Sequence, residues 1–159
     1  MYSRLFVGMA ATLAALAVLV VVAVSLPTMS PSAGDGVHRL VIHVDDNDPK
    51  RMNMALNNAS NIDKYYKDKG EELVVEIVAY GPGLHMLRAD TSPVKKRIKI
   101  FEENYDNITF KACGNTKAKM SKKAGKDVAL LGNKNISVVP AGVVHLMERQ
   151  EQGWAYVRP

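Results

Sequence analysis

The chain has one thiol, Cys113, in the segment FKACGNTKAKM. An apolar run ends there and a lysine-rich helical pattern begins, which predicts a cysteine at a strand-to-helix junction. A thiol in that position faces the positive end of a helix dipole and unbonded backbone N–H groups, and both favour the thiolate. Gly114 lets the backbone approach closely. Asn115 or Thr116 can cap the helix or donate to a bound anion, and Lys111 and Lys117 can add positive potential. The competing reading is a buried structural cysteine. A single cysteine excludes an internal disulfide and any multi-cysteine zinc or iron–sulfur site.

His43 and His85 are expected at neighbouring strand ends, where either can pair with the thiolate or transfer a proton. They stand as supporting candidates beside Gly114 and Asn115. The plainer alternatives are an inward strand residue satisfied by hydrogen bonds for His43 and a surface loop residue for His85. His145 lies among Val144, Leu146 and Met147 and reads as structural or interfacial. Asp45, Asp46 and Asp48 precede a helical pattern and read as a capping set rather than a cation site. The methionines fall at helical spacing and read as core, so no metal is expected. Gly81-Pro82-Gly83 has neither the GxGxxG nor the GxxxxGK[ST] spacing, and no G-x-S-x-G elbow occurs, so no cofactor is expected.

The elements that position these residues alternate. Residues 39–44 (RLVIHV) suit a buried strand. Asp48 and Pro49 are N-cap and first residue of a helix in which Met52, Ala55, Leu56, Ala59, Ile62 and Tyr66 recur at three- and four-residue steps up to Gly70. Residues 73–79 (LVVEIVA) form a second strand, broken by Gly81-Pro82-Gly83, with a helical turn at 84–87. A helix opens at Ser92-Pro93 and runs to about Asn104. Its cluster of Lys95, Lys96, Arg97 and Lys99 reads as a solvated face. Strand three is 108–112, followed by a helix bearing Lys117, Lys119, Lys122, Lys123 and Lys126. Strand four is 136–139, followed by Pro140-Ala141-Gly142, a helix to about Gln152 and a short strand at 154–157.

Strands separated by helices imply parallel pairing through right-handed crossovers. The fold class is therefore α/β: a three-layer α/β/α domain with a mainly parallel sheet, Rossmann-like or flavodoxin-like. In such sheets ligands sit outside the carboxyl ends of the strands, where most of the unusual residues fall. Periodicity leaves the strand order open.

The whole chain has 159 residues, 47% hydrophobic and 23% charged, which excludes a low-complexity or wholly disordered protein. Residues 5–26 form an apolar run interrupted only by Gly8, Thr12 and Ser25, long enough to span a bilayer core. Residues 1–26 are thus a signal peptide or an N-terminal membrane anchor, 27–36 a linker and 37–159 the α/β domain. Arg4 stays cytoplasmic in both cases, so the domain is expected in the periplasm of a Gram-negative source, anchored to the inner membrane if the segment is uncleaved. Of the 21 Lys and Arg only Arg4 precedes position 34, and all 16 Asp and Glu follow it, leaving +4 behind the run. That excess does not make a nucleic-acid binder.

The strand HRLVIHVDDNDP, the turn AYGPGLHML, the segment FKACGNTKAKM and the block VVPAGVVHLMERQEQGWAYVRP together resemble the DsrE/DsrF-like sulfur-relay family, closest to its exported single-domain branch. The resemblance covers about residues 37–159. It implies an α/β/α fold assembled into homo-oligomers, trimers or hexamers. It also implies a cysteine, matched by Cys113, that carries sulfur as a persulfide. Export departs from the cytoplasmic members, which pass sulfur to partner proteins.

Two functions follow as expectations. In the first, Cys113 is the carrier of a sulfur carrier or sulfurtransferase-like protein, with donor and acceptor unspecified. In the second, the chain is a non-enzymatic oligomeric small-anion-binding or assembly protein with a structural cysteine.

Overall fold

The computed structural model describes residues 36–159. The apolar run at 5–26 and the linker up to residue 35 lie outside the described residues. Among the described residues, no helix is long and apolar enough to cross a membrane.

Five strands form one parallel sheet in the order β4-β3-β2-β1-β5. They are β1 (Val37–Val44), β2 (Glu72–Ala79), β3 (Ile108–Cys113), β4 (Ile136–Val139) and β5 (Ala155–Val157). Four helices connect them: α1 (Pro49–Lys69), α2 (Lys95–Asn104), α3 (Gly114–Ala124) and α4 (Gly142–Glu151). A 3₁₀ helix, Gly81–Leu87, precedes α2.

The expected fold class is the one observed, and the strand order supplies what periodicity left open. From β1 to β4 the chain steps in one direction, so right-handed crossovers put α1, α2 and α3 on one face of the sheet. The return from β4 to β5 runs the other way and puts α4 on the opposite face. The packing agrees. Leu40, Ile42, Val75, Ile77, Ile108 and Phe110 alternate along β1 to β3 and join Met52 and Leu56 of α1, Ile98 and Phe101 of α2, and Met120 of α3 in the main core. The intervening Val41 and Val78 meet Leu146 of α4, with Tyr80 and Trp154 alongside.

Local signals explain the element ends. The Asp48 carboxylate accepts the Lys50 N–H at 2.8 Å, Pro49 needs no donor, and Gly70 closes α1 in the left-handed conformation. Ser92 is tied back to Met86 O through its hydroxyl and to Arg88 O through its N–H, so residues 92–94 stay a turn and α2 begins at Lys95, not at Pro93. The Trp154 N–H bonds Arg149 O at 3.0 Å, which ends α4 and delays β5 to Ala155. Gly83 lies against the end of β1: a Cβ there would sit 2.2 Å from the Val44 carbonyl oxygen, so only glycine lets the 3₁₀ helix cross. Arg97, expected on a solvated face, instead bonds Asn53 and Asn57 of α1 at 2.7 and 2.9 Å.

Candidate functional site

Neighbouring strands β3 and β4 send their helices to opposite faces of the sheet. That makes the gap between their carboxyl ends the topological switch point, where open parallel sheets bind ligands. Cys113 is the last residue of β3 and the N-cap of α3. Alternation puts Thr109, Lys111 and Cys113 on the α4 side, because Ile108, Phe110 and Ala112 fill the core on the other.

Two helix N-termini therefore converge on one sulfur. Gly142, the first residue of α4, packs so closely that a Cβ would lie 3.2 Å from the Cys113 Cβ and 3.0 Å from the Tyr80 ring. Neither α3 nor α4 has a side-chain cap, which leaves first-turn N–H groups for other acceptors. Burial pushes the Cys113 thiol up. The Thr116 hydroxyl and the backbone N–H groups of Gly142, Thr116 and Asn115 favour the thiolate, outweigh burial and hold it below its ordinary value. The Gly81 N–H donates to the Thr116 Oγ1 at 3.0 Å. That bond occupies a lone pair of the hydroxyl and leaves its hydrogen for the sulfur. Cys113 itself is 5% exposed.

The expected residues divide. Cys113, Gly114 and Asn115 come together, but Asn115 acts through its backbone: its side chain is exposed, and its N–H also reaches Pro140 O at 3.1 Å. Lys111 and Lys117 are engaged elsewhere. Lys111 Nζ bonds Ser137 at 3.1 Å and lies 3.7 Å from Glu76, and Lys117 pairs with Asp127.

The histidines also bond away from the sulfur. His43 Nδ1 meets the Tyr156 hydroxyl at 2.7 Å, and its ring stacks on Tyr80 with centroids 4.6 Å apart. Its Nε2 is buried without a hydrogen-bond partner, 3.6 Å from Asp45. Burial lowers its pKa, Asp45 pulls it back up, and Arg158 adds to the lowering. His85 Nδ1 bonds the Thr91 hydroxyl at 2.7 Å, beside the 3₁₀ helix. The strand-end argument put both histidines on the correct edge. The order and pleat of the sheet then place the Tyr80 ring beside both Gly142 and His43.

The aspartates behave as a capping and pairing set. Asp48 caps α1, Asp46 pairs with Arg51, and Asp45 takes two bonds from Arg158. Among the described residues no group of three His, Cys, Asp or Glu could hold a metal ion.

Sequence reasoning named Thr116 only as an alternative to Asn115 for capping or anion donation, and it missed Gly142 as a backbone donor and a buried ion cluster next door. Glu76, in the middle of β2 and 5% exposed, accepts His145 Nε2 at 2.6 Å and two bonds from Arg149 at 2.7 and 2.9 Å. The signal was present: one glutamate inside LVVEIVA, and a histidine and an arginine four residues apart in HLMER.

No family model matches the chain, and no curated protein does. Among solved structures the chain is similar to MTH1491, a protein of unknown function from Methanobacterium thermoautotrophicum. The two are 30% identical with a TM-score of 0.61, over 77% of this chain and 99% of that one.

Proposed function

We propose that this chain, which belongs to the same family as the methanogen protein MTH1491, carries sulfane sulfur on Cys113. The Cys113 thiolate attacks the outer sulfur of a donor persulfide, R–S–S⁻. A bond forms between the two sulfurs, the donor S–S bond breaks, and R–S⁻ leaves with the bonding pair. An acceptor thiolate then attacks the outer sulfur of the Cys113 persulfide and restores the thiolate. No external oxidant or reductant enters the cycle.

The observation that carries this reading is the placement of one sulfur between the N-termini of α3 and α4, with its pKa held down by the Thr116 hydroxyl and three backbone N–H groups. Those donors stabilise the thiolate as nucleophile and as leaving group. At 5% exposure the donor must arrive end-on, as the terminal sulfur of a persulfide or polysulfide does. The resemblance of FKACGNTKAKM and the C-terminal block to the DsrE/DsrF-like family points the same way.

With this role we propose export of residues 37–159 to the periplasm behind the apolar run at 5–26, and assembly into a trimer or hexamer. The outward residues of α4, Val143, Val144 and Met147, support assembly: all three are exposed apolar side chains. Burial of Cys113 favours a second reading, an oligomeric assembly protein in which the cysteine is structural. Cyanolysis separates the two. After polysulfide treatment and removal of excess reagent, cyanide should release about one thiocyanate per chain, and Cys113→Ser should release none. A wild-type yield no higher than that of the variant would favour the structural cysteine.

A further inference from the structure

The lysine-rich helix α3 has a second feature the sulfur chemistry does not use. On α1 and α2 one lysine each takes an acidic partner one turn away, Lys64 with Asp68 and Lys99 with Glu103. On α3, Lys117 takes Asp127 from the following loop. Lys119 and Lys123 stand four residues apart on one face, a like-charge spacing that destabilises a helix. Neither has an ion-pair partner among the described residues.

Both line a recess of about 410 Å³ between α3 and the 3₁₀ helix Gly81–Leu87. Its apolar surface includes Pro82 and Met120, and no acidic residue lines it. Two polar groups are already oriented at its edge. His85 is held by Thr91, and burial lowers its pKa, so near neutral pH it serves as a hydrogen-bonding ring rather than a third charge. Thr116 is fixed by the Gly81 N–H. Cys113 is not among the lining residues. Two uncompensated ammonium groups over an apolar floor match a ligand with an oxyanion on an apolar body, and the volume suits a small organic molecule.

We propose that this recess binds a small organic oxyanion, such as an aryl phosphate or sulfonate, through Lys119 and Lys123, at a site that shares the Thr116 edge with Cys113 but does not include its sulfur. Met120 reports on it directly. In the full chain labelled with methyl-¹³C methionine, the Met120 signal is identified by its loss in Met120→Leu. Titration with 1-naphthyl phosphate should shift that signal saturably, with a dissociation constant of roughly 1 mM or tighter. Inorganic phosphate should bind more weakly for lack of the apolar body, and neutral 1-naphthol more weakly for lack of charge. Lys119→Gln with Lys123→Gln should weaken naphthyl phosphate roughly tenfold while leaving the Met120 signal in place. Cys113→Ser should bind as wild type does, so failure here and failure of the sulfur reading are read separately. An unsaturable Met120 shift, equal binding of naphthol, or binding indifferent to the double lysine substitution would each overturn the proposal.

Discussion

Thr116 lies between one donor, the Gly81 N–H, and one acceptor, the Cys113 sulfur, and the reading of Cys113 rests on that arrangement. Its hydroxyl receives the Gly81 N–H, which leaves its hydrogen free for the sulfur, and it helps hold the Cys113 pKa down. Thr116→Val keeps the shape and removes the donor. A hydrogen bond to a charged group contributes about 1.5–3 kcal/mol, so iodoacetamide alkylation at pH 7 should slow about tenfold or more, with its pH midpoint moved upward. An unchanged pH–rate profile would remove Thr116 from the account. His43 makes a different prediction. Burial holds its folded pKa below the ordinary value, so below about pH 6.5 the unfolded chain takes up the proton first. Its contribution to stability is therefore complete near neutral pH and falls as pH drops through the folded value. Thermal melts should lose stability from about pH 6.5 downward, and His43→Leu should flatten most of that loss; a half-exposed His85, lowered in the same sense, keeps a share. At this scale Cys113 was legible, because a strand pattern stops and a helical one starts around it. The bond of His43 to Tyr156 and the approach of Gly142 to Cys113 were not, because each joins residues whose neighbourhood depends on strand order.

Element ends follow from local chemistry, and most could be read in advance. Asp48 with Pro49, and Gly70, delimit α1 as their types require. The starts of α2 and β5 moved because Ser92 and Trp154 make backbone bonds to Met86, Arg88 and Arg149 that no periodicity encodes. The seating of α4 on the sheet was also hidden. Leu146 is its only buried apolar side chain, and much of its hold comes from the bonds of His145 and Arg149 to Glu76, with Lys111 close by. Burial raises the Glu76 pKa, but the Arg149 and His145 bonds win and lower it. Its stabilisation is thus present above the ordinary carboxylate range and lost as pH falls through the folded value. Removing one member of a buried ion cluster leaves the others unpaired. Glu76→Ala should cost about 3 kcal/mol or more, seen as a lower urea midpoint, and should perturb Cys113 by loosening the N-terminus of α4. A midpoint within about 0.5 kcal/mol of wild type would show that Glu76 does not hold the helix.

The fold as a whole gives one face of the sheet three helices and the other face one. The order β4-β3-β2-β1-β5 produces that imbalance and leaves β4, β5 and the outer side of α4 lightly covered. Val143 is 61% exposed and Met147 53%, more apolar exposure than a lone helix needs. Sedimentation of the chain lacking residues 1–33 should therefore give a trimer or larger at micromolar concentration, and Met147→Glu with Val143→Glu should dissociate it; a wild-type monomer would contradict the assembly. The α/β class was legible from alternating elements alone, whereas the switch point between β3 and β4 needed the observed order. The central claim, that Cys113 takes up sulfane sulfur, is tested most directly by intact mass spectrometry of the full chain after polysulfide treatment. The account predicts added mass in steps of one sulfur, reversed by a thiol reductant and absent in Cys113→Ser. An unmodified wild-type mass, or the same addition in the variant, would contradict it.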